Sequence, residues 1–233
     1  MAGLDADGRL QSVLEEARRR SLVGGLPMAK QIAHSEGFLR ALLLESFEGP
    51  VLELGSGGGL PGLVLALEDR DLQLVLVDSA RRSVEFLCWA VEELQLSARV
   101  EVVKVRAEQI GREDQYRGSF AAVVARSFAP PAVTAECAAP LLRVGGRLIV
   151  SEPPATASPV NALEVSPSEA TDHPVESLPA ESRWPVAGCL QLGLAPELAL
   201  RDPFGFAVLR QVSRCPDKFP RRTGIPAKRP IFS

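Results

Sequence analysis

A glycine-rich segment at residues 55–62 follows the first predicted strand, and its backbone could bind a nucleotide. The segment GSGGGLPG holds five glycines and one proline. Glycine adopts positive φ without a steric penalty and lets a ligand approach backbone N–H groups closely. Asp78 ends the second predicted strand, and its carboxylate can accept hydrogen bonds from both hydroxyls of a ribose. Together they predict a site for a cofactor that contains adenosine.

Two ligand patterns overlap in this segment. Gly57, Gly59 and Gly62 fit the G-x-G-x-x-G pattern of dinucleotide-binding proteins. Glu53, two residues before Gly55, extends Gly55, Gly57 and Gly59 into the acidic-x-G-x-G-x-G pattern of S-adenosylmethionine enzymes. A carboxylate beneath the loop would attract the sulfonium and amino cations of S-adenosylmethionine but would repel a pyrophosphate. The sequence therefore predicts S-adenosylmethionine rather than NAD.

The composition excludes several kinds of catalytic site. The 233 residues include 26 basic and 29 acidic ones, a formal net charge of −3, so only a local patch could bind nucleic acid. Two histidines, His34 and His173, and four cysteines without a C-x-x-C pair predict no metal site and no histidine-dependent triad. No run approaches the roughly 18 apolar residues of a membrane span, and the N-terminus is too charged for a signal peptide. We expect a cytoplasmic monomer with no membrane partner.

Short apolar runs alternate with helical patterns along most of the chain. Five such runs, from VLEL at 51–54 to GRLIVSE at 146–152, are separated by stretches with apolar residues every three to four positions. This alternation predicts right-handed βαβ units and a buried parallel sheet in an α/β fold. Two later runs, at 197–202 and 206–212, flank a Pro-Phe-Gly turn and predict an antiparallel hairpin at the sheet edge.

Changes in composition divide the chain into parts. Residues 8–20 and about 28–46 have the apolar spacing of helices. Residues 153–183 hold six prolines and mostly acidic charges, which predicts an irregular insert. The predicted parts are a short N-terminal helical extension at 1–49, a cofactor-binding domain at 50–213 that contains the insert, and a basic C-terminal arm at 214–233.

Five stretches of the sequence resemble one family, the bacterial small-subunit ribosomal RNA guanine-N7 methyltransferases once named glucose-inhibited division protein B. They are LELGSGGGLPGLVLA (52–66), VDSARRSVEFL (77–87), RAE (106–108), VARSFAPP (124–131) and KFPRRTGIPAKRPI (218–231). The resemblance covers roughly half of the chain. It implies a Rossmann-like class I S-adenosylmethionine-dependent methyltransferase fold, with a mostly parallel seven-stranded sheet and an antiparallel last strand.

The resemblance also implies the residues of the site. Its cofactor contacts fall on Gly55, Leu60, Asp78, Ala107, Glu108 and Arg126. Arg126 would contact both the cofactor and the guanine, since a guanidinium pairs well with guanine N7 and O6. Phe128 would stack on the exposed base. Guanine N7 carries no proton, so the reaction needs positioning rather than a general base, which is compatible with a chain that has only two histidines.

The last twenty residues would bind ribosomal RNA or the small ribosomal subunit. They contain six basic residues and one acidic residue, while the rest of the chain is acidic. Four prolines favour an extended arm over a long helix. Its cations could then follow a phosphate backbone. The candidates are Arg221, Arg222, Lys228 and Arg229.

Other functions remain open at this stage. Glu152 stands where a Lys-Gly step often ends the fifth strand in the family, and no Asn-Leu-Thr stretch precedes residue 50. These differences keep open a methyltransferase for another RNA or a small molecule, and a cofactor-binding regulator without turnover. A nicotinamide dehydrogenase is disfavoured because Tyr116 is the only tyrosine and no Tyr-x-x-x-Lys motif is present.

Overall fold

The computed structural model describes residues 2–45, 48–153, 175–177, 183–200 and 204–233. Two helices precede the first strand, and helices and strands then alternate up to β5. In chain order the elements are α1 (Ala2–Arg19), α2 (Met28–Leu43), β1 (Val51–Leu54), α3 (Gly62–Glu68), β2 (Leu74–Asp78), α4 (Arg81–Glu93), β3 (Val100–Lys104), α5 (Ala107–Ile110), β4 (Phe120–Ala125), α6 (Pro131–Ala138), a 3₁₀ turn (Ala139–Leu141), β5 (Leu142–Glu152), β6 (Val175–Ser177), α7 (Val186–Leu190), β7 (Leu194–Leu200), β8 (Gly205–Gln211) and α8 (Ile225–Lys228).

The described strands form one mixed sheet in the order β3-β2-β1-β4-β5-β8-β7-β6. Strands β1 to β5 are parallel to one another. Strand β8 inserts antiparallel between β5 and β7, so the predicted hairpin is confirmed. The predicted seven-stranded sheet with an antiparallel last strand is therefore present, and β6 adds a three-residue strand at the edge.

The central strands are buried because helices cover both faces of the sheet. Every residue of β1 and β4 is buried, as a parallel sheet between two helical layers requires. One core lies between the sheet and α1 to α4, and the other lies beneath α5 to α7 and the C-terminal segment.

The helical periodicities predicted from the sequence are borne out in α1 and α2. Leu10, Val13, Leu14 and Ala17 of α1 are all buried in the first core. Helix α2 buries Phe38 and Leu42 on the same face as two polar residues, Gln31 and Ser35. Polar groups on a buried face need hydrogen-bond partners, and those of Gln31 lie in the candidate site.

Most of the predicted irregular insert at 153–183 lies outside the described residues. Only residues 153, 175–177 and 183 of it are described, and residues 175–177 form a short strand.

The expectation of a free, extended C-terminal arm is wrong for the first part of that segment. Phe219 and Cys215 are buried against the second core. Arg117 donates hydrogen bonds to the carbonyl oxygens of Cys215, Pro216 and Phe219 at 3.0, 3.1 and 2.8 Å. The segment is therefore packed on the domain, where backbone carbonyls are satisfied by a partly buried cation.

Candidate functional site

The predicted site residues meet where the strand order reverses direction. From β1 the chain builds the sheet outward to β2 and β3, and it then returns to place β4 on the other side of β1. Ligands of open α/β sheets bind at such a switch point, outside the carboxyl ends of the strands. The loops after β1, β2, β3 and β4 carry the predicted residues to this edge.

Asp78 holds the glycine loop in place through its carboxylate. Its Oδ2 accepts a hydrogen bond from the Gly57 amide at 2.9 Å, and its Oδ1 accepts one from the Ala80 amide at 2.8 Å. Each carboxylate oxygen has further acceptor capacity. The predicted ribose-binding residue is thus also the residue that fixes the loop.

The glycines of the loop differ in what a side chain at each position would contact. Gly57 has φ +50°, and a Cβ at this position would make only ordinary van der Waals contacts, at 3.8 Å, with the Gly55 and Leu22 carbonyl oxygens. A Cβ on Gly59 would collide with the Leu63 side chain at 2.4 Å, and one on Gly62 would collide with Glu53 Oε2 at 2.4 Å. Gly57 is therefore the position where a ligand could approach the backbone.

Glu53 lies beneath the glycine loop with an uncompensated carboxyl group. The residue is 1% exposed, and both carboxyl oxygens lack a hydrogen-bond partner among the described residues. Burial raises the pKa of Glu53 to about 8, while Ser56, the Gly62 amide and Arg126 act in the opposite direction. A buried carboxyl without a partner is stabilised by a cationic ligand group, which fits the cationic end of S-adenosylmethionine.

Arg126 follows β4 and reaches helix α2. Its Nη2 donates to Gln31 Oε1 at 3.2 Å, while its Nη1 is buried without a partner among the described residues. Burial lowers the pKa of Arg126, and Glu53 acts in the opposite direction. Burial, followed by the charge of Arg126, lowers the pKa of His34 to about 4. His34 is therefore neutral near pH 7, beside a guanidinium that has an unused donor.

Phe128 packs on the loop rather than standing clear of it. A Cβ on Gly55, where φ is +72°, would lie 2.7 Å from Phe128 Cδ2. The ring is half-buried, so it can cover the start of the loop and still present a surface. Ser127 adopts φ +51°, an uncommon conformation for a residue with a side chain. The turn at 126–128 thus places Phe128 on the glycine loop, while Arg126 reaches Gln31 of α2.

The remaining predicted cofactor residues lie at the same edge, in different environments. Leu60 and Ala107 are buried, at 7% and 8% exposure. Glu108 is half-buried, and its Oε1 accepts a hydrogen bond from the Gly224 amide at 2.8 Å. Part of the acceptor capacity of Glu108 is thus used by the C-terminal segment.

The four predicted RNA-binding cations divide into one anchored and three exposed residues. Arg221 donates from Nε and Nη2 to the carboxylate of Glu136, which is fully buried. Arg222, Lys228 and Arg229 are exposed. Arg221 was expected to have a free cation, and this expectation is corrected because a buried carboxylate needs the charge.

Sequence reasoning missed the residues of α2 that reach the site. Gln31 and His34 belong to no motif, and neither histidine has a role that the sequence predicts. The available signal was a glutamine within a stripe of apolar residues, which predicts a buried polar group with specific partners.

Glu152 stabilises the local structure through hydrogen bonds to two side chains. Its carboxylate accepts hydrogen bonds from Trp184 Nε1 at 2.8 Å and Arg183 Nη1 at 3.2 Å. Trp184 is buried. Glu152 therefore joins the end of β5 to the segment before α7, and its negative charge is partly neutralised.

Within the described parts of the chain, no helix is long and apolar enough to cross a membrane. The same residues contain no group of three or more His, Cys, Asp or Glu side chains that could hold a metal ion.

The strand order and the glycine loop with its acidic residues define a Rossmann-like class I methyltransferase fold. A family model described as GidB, rRNA small subunit methyltransferase G, matches residues 34–164. A relative named ribosomal RNA small subunit methyltransferase G, from Rubrobacter xylanophilus, is 31% identical over 98% of this chain and 87% of its own length. Relatives of the same name from Thermotoga maritima and Deinococcus radiodurans are 34% and 35% identical, over 82% and 79% of this chain and 72% and 67% of their own lengths. The chain therefore belongs to the GidB family of rRNA small subunit methyltransferases.

Proposed function

We propose that this protein transfers a methyl group from S-adenosylmethionine to guanine N7 in small-subunit ribosomal RNA. The observation that carries the proposal is the buried, unpartnered carboxyl group of Glu53 beneath the glycine loop. Such a group fits a cationic adenosine cofactor. Family membership supports ribosomal RNA as the acceptor.

The cofactor would be held by groups already arranged around the loop. The Gly57 backbone leaves room for a ligand, Asp78 would accept from the ribose hydroxyls, and Glu53 would face the cationic part. Ala107 and Glu108 would flank the adenine. Leu60 and the other loop glycines, Gly55 and Gly59, would shape the walls of the site.

When bound, S-adenosylmethionine supplies an electrophilic methyl group on a positively charged sulfur. Arg126 would use its free Nη1 to bind an acceptor oxygen or nitrogen of the ligands. The face of Phe128 would orient the guanine. No side chain needs to remove a proton from N7, so the protein contributes orientation and exclusion of water.

The RNA would be held in part by the exposed cations Arg222, Lys228 and Arg229. The contact between Glu108 and the Gly224 amide supports their placement next to the cofactor edge. Cations near phosphates supply affinity that is independent of sequence and sensitive to salt.

Mass spectrometry of small-subunit ribosomal RNA tests this function directly. RNA from cells that lack the gene should lose one N7-methylguanosine, and purified protein with S-adenosylmethionine should restore it. Restoration should fail with Arg126→Met. If the RNA is the same in both strains while the protein methylates another acceptor, the ribosomal assignment is wrong.

A further inference from the structure

Gln31 of helix α2 connects three parts of the molecule with one buried amide. Its Oε1 accepts from Arg126 Nη2 at 3.2 Å, and its Nε2 donates to the carbonyl oxygens of Gly24 and Leu26 at 2.9 and 3.2 Å. The side chain is almost fully buried, since Gln31 is 3% exposed. The helix, the segment at 22–26 and the end of β4 therefore meet at Gln31.

The segment at 22–26 also touches the glycine loop. A Cβ on Gly58 would lie 2.5 Å from Val23 Cγ1 and 2.9 Å from the Leu22 carbonyl oxygen. Only a glycine allows this approach. The segment held by Gln31 is thus a wall of the loop that would receive the cofactor.

Arg126 depends on this connection for a defined position. Its long side chain has many rotamers, and fixing it costs conformational entropy. The hydrogen bond to Gln31 holds Nη2, while Nη1 stays buried and unpartnered in the described structure. A buried donor without a partner is costly unless a ligand supplies an acceptor. The guanidinium is therefore held with one donor available.

We propose that Gln31 is a positioning residue for ligand binding, acting through Arg126. It fixes the guanidinium so that Nη1 faces the bound ligand, and it ties this orientation to the wall at 22–26. The inference rests on the proposed function, in which Arg126 contacts the cofactor. It adds the N-terminal helix α2 to the site, which no motif in the sequence indicated.

A double-mutant cycle separates positioning from a general structural role. The measured quantity is the dissociation constant for S-adenosylhomocysteine, by calorimetry, in the full chain. Gln31→Leu removes the hydrogen bonds of the amide and should weaken binding about tenfold. Arg126→Met should weaken binding by at least as much. In the Arg126→Met background, Gln31→Leu should weaken binding by a smaller factor, because only its hydrogen bonds to the Gly24 and Leu26 carbonyl oxygens remain to be lost.

One further variant serves as a control for the double-mutant cycle, and another replaces Gln31→Leu if that variant does not fold. Ser35→Ala removes another buried hydrogen bond of α2, from Ser35 Oγ to the Gln31 carbonyl oxygen at 2.9 Å, and should leave binding unchanged. If Gln31→Leu does not fold, Gln31→Asn shortens the reach to Arg126 and should weaken binding by a smaller factor.

The outcomes distinguish the inference from the proposed function. If Arg126→Met binds S-adenosylhomocysteine normally, the proposed role of Arg126 is wrong. If Arg126→Met weakens binding and Gln31→Leu weakens it equally in both backgrounds, Gln31 acts independently of Arg126 and the positioning role is overturned. Normal binding by Gln31→Leu alone would overturn it as well.

Discussion

Arg221 binds the buried carboxylate of Glu136 through three hydrogen bonds. The Arg221 amide and Nε donate to Glu136 Oε1 at 2.8 Å each, and Nη2 donates to Oε2 at 2.5 Å. The Glu136 side chain is 0% exposed, and that of Arg221 is 27% exposed. The pair attaches the C-terminal segment to helix α6, which follows β4.

Removing the cation of Arg221 should destabilise the fold. Arg221→Ala leaves the Glu136 carboxylate buried without its charge partner, which costs about 3–5 kcal/mol when such pairs are broken. Arg222→Ala, an exposed neighbour, should change stability by less than about 0.5 kcal/mol. Urea unfolding of both variants measures the difference. Equal stabilities would show that the pair does not hold the segment.

Glu53 should make the stability of the cofactor-free protein fall as pH rises. Its pKa is raised from 4.5 to about 8, so the folded chain keeps a proton that the unfolded chain has released. The loss of stability begins near pH 4.5, increases up to about pH 8 and is constant above that pH. Between these two values the free energy of unfolding falls by about 1.4 kcal/mol per pH unit. Glu53→Gln should flatten this dependence. Urea unfolding from pH 5 to 9 should therefore give curves that diverge with pH, and parallel curves would contradict the role of Glu53.

Gly57→Val should abolish binding of S-adenosylmethionine and leave the fold intact. The new side chain would occupy the space that the ligand needs beside the loop backbone, and a β-branched residue resists φ +50°. Gly118→Val is the control, because Gly118 also has positive φ, at +68°, and a Cβ there would meet no atom within 4 Å. Calorimetry should show loss of binding only for Gly57→Val. Equal binding by the two variants would mean that the loop does not hold the cofactor.

Asp78→Ala should weaken cofactor binding by roughly 1–3 kcal/mol, since it removes a charged acceptor from the ribose. The variant also frees the Gly57 amide from its carboxylate. NAD should bind neither the variant nor the unmodified protein, because the buried Glu53 carboxyl group offers no positive charge to a pyrophosphate in either protonation state. Calorimetry with both ligands checks this, and binding of NAD in place of S-adenosylmethionine would refute the cofactor assignment.

The sheet and the glycine loop were predictable because their signals are local. Apolar runs such as 51–54 and 120–128 predict buried strands, and the glycine loop directly follows the first of them. The packing of the C-terminal segment was not predictable. Arg221 and Glu136 are 85 residues apart in the chain, and nothing in either sequence context marks the other as its partner.

The contact between α2 and the candidate site could not be predicted from the sequence for a related reason. Gln31 and Arg126 are 95 residues apart, and periodicity places Gln31 on the buried face without identifying what it contacts. The sequence gives the composition of a helix face, whereas the partner depends on how α2 docks against the end of β4. The same limit applies to Glu152, whose partners Arg183 and Trp184 follow the insert.

The exposed cations of the C-terminal segment give the last prediction, which concerns RNA. Changing Arg222, Lys228 and Arg229 to Ala should weaken binding of small-subunit RNA and lower the slope of log affinity against log salt by roughly one for each lost phosphate contact. Arg221 is left in place because its charge is needed by Glu136. Cofactor affinity should not change, since these three side chains are exposed and outside the glycine loop.

A control variant separates local contacts from overall charge. Arg70 and Arg143 are also exposed, but they follow α3 and begin β5, at the opposite, amino-terminal edge of the parallel strands. Arg70→Ala with Arg143→Ala should leave the salt slope near that of the unmodified protein. A triple variant whose RNA affinity and slope match those of this control would show that the segment has only a structural role. The RNA would then have to be held by cations beside other loops of the carboxyl edge, because the net charge of −3 supplies no general attraction.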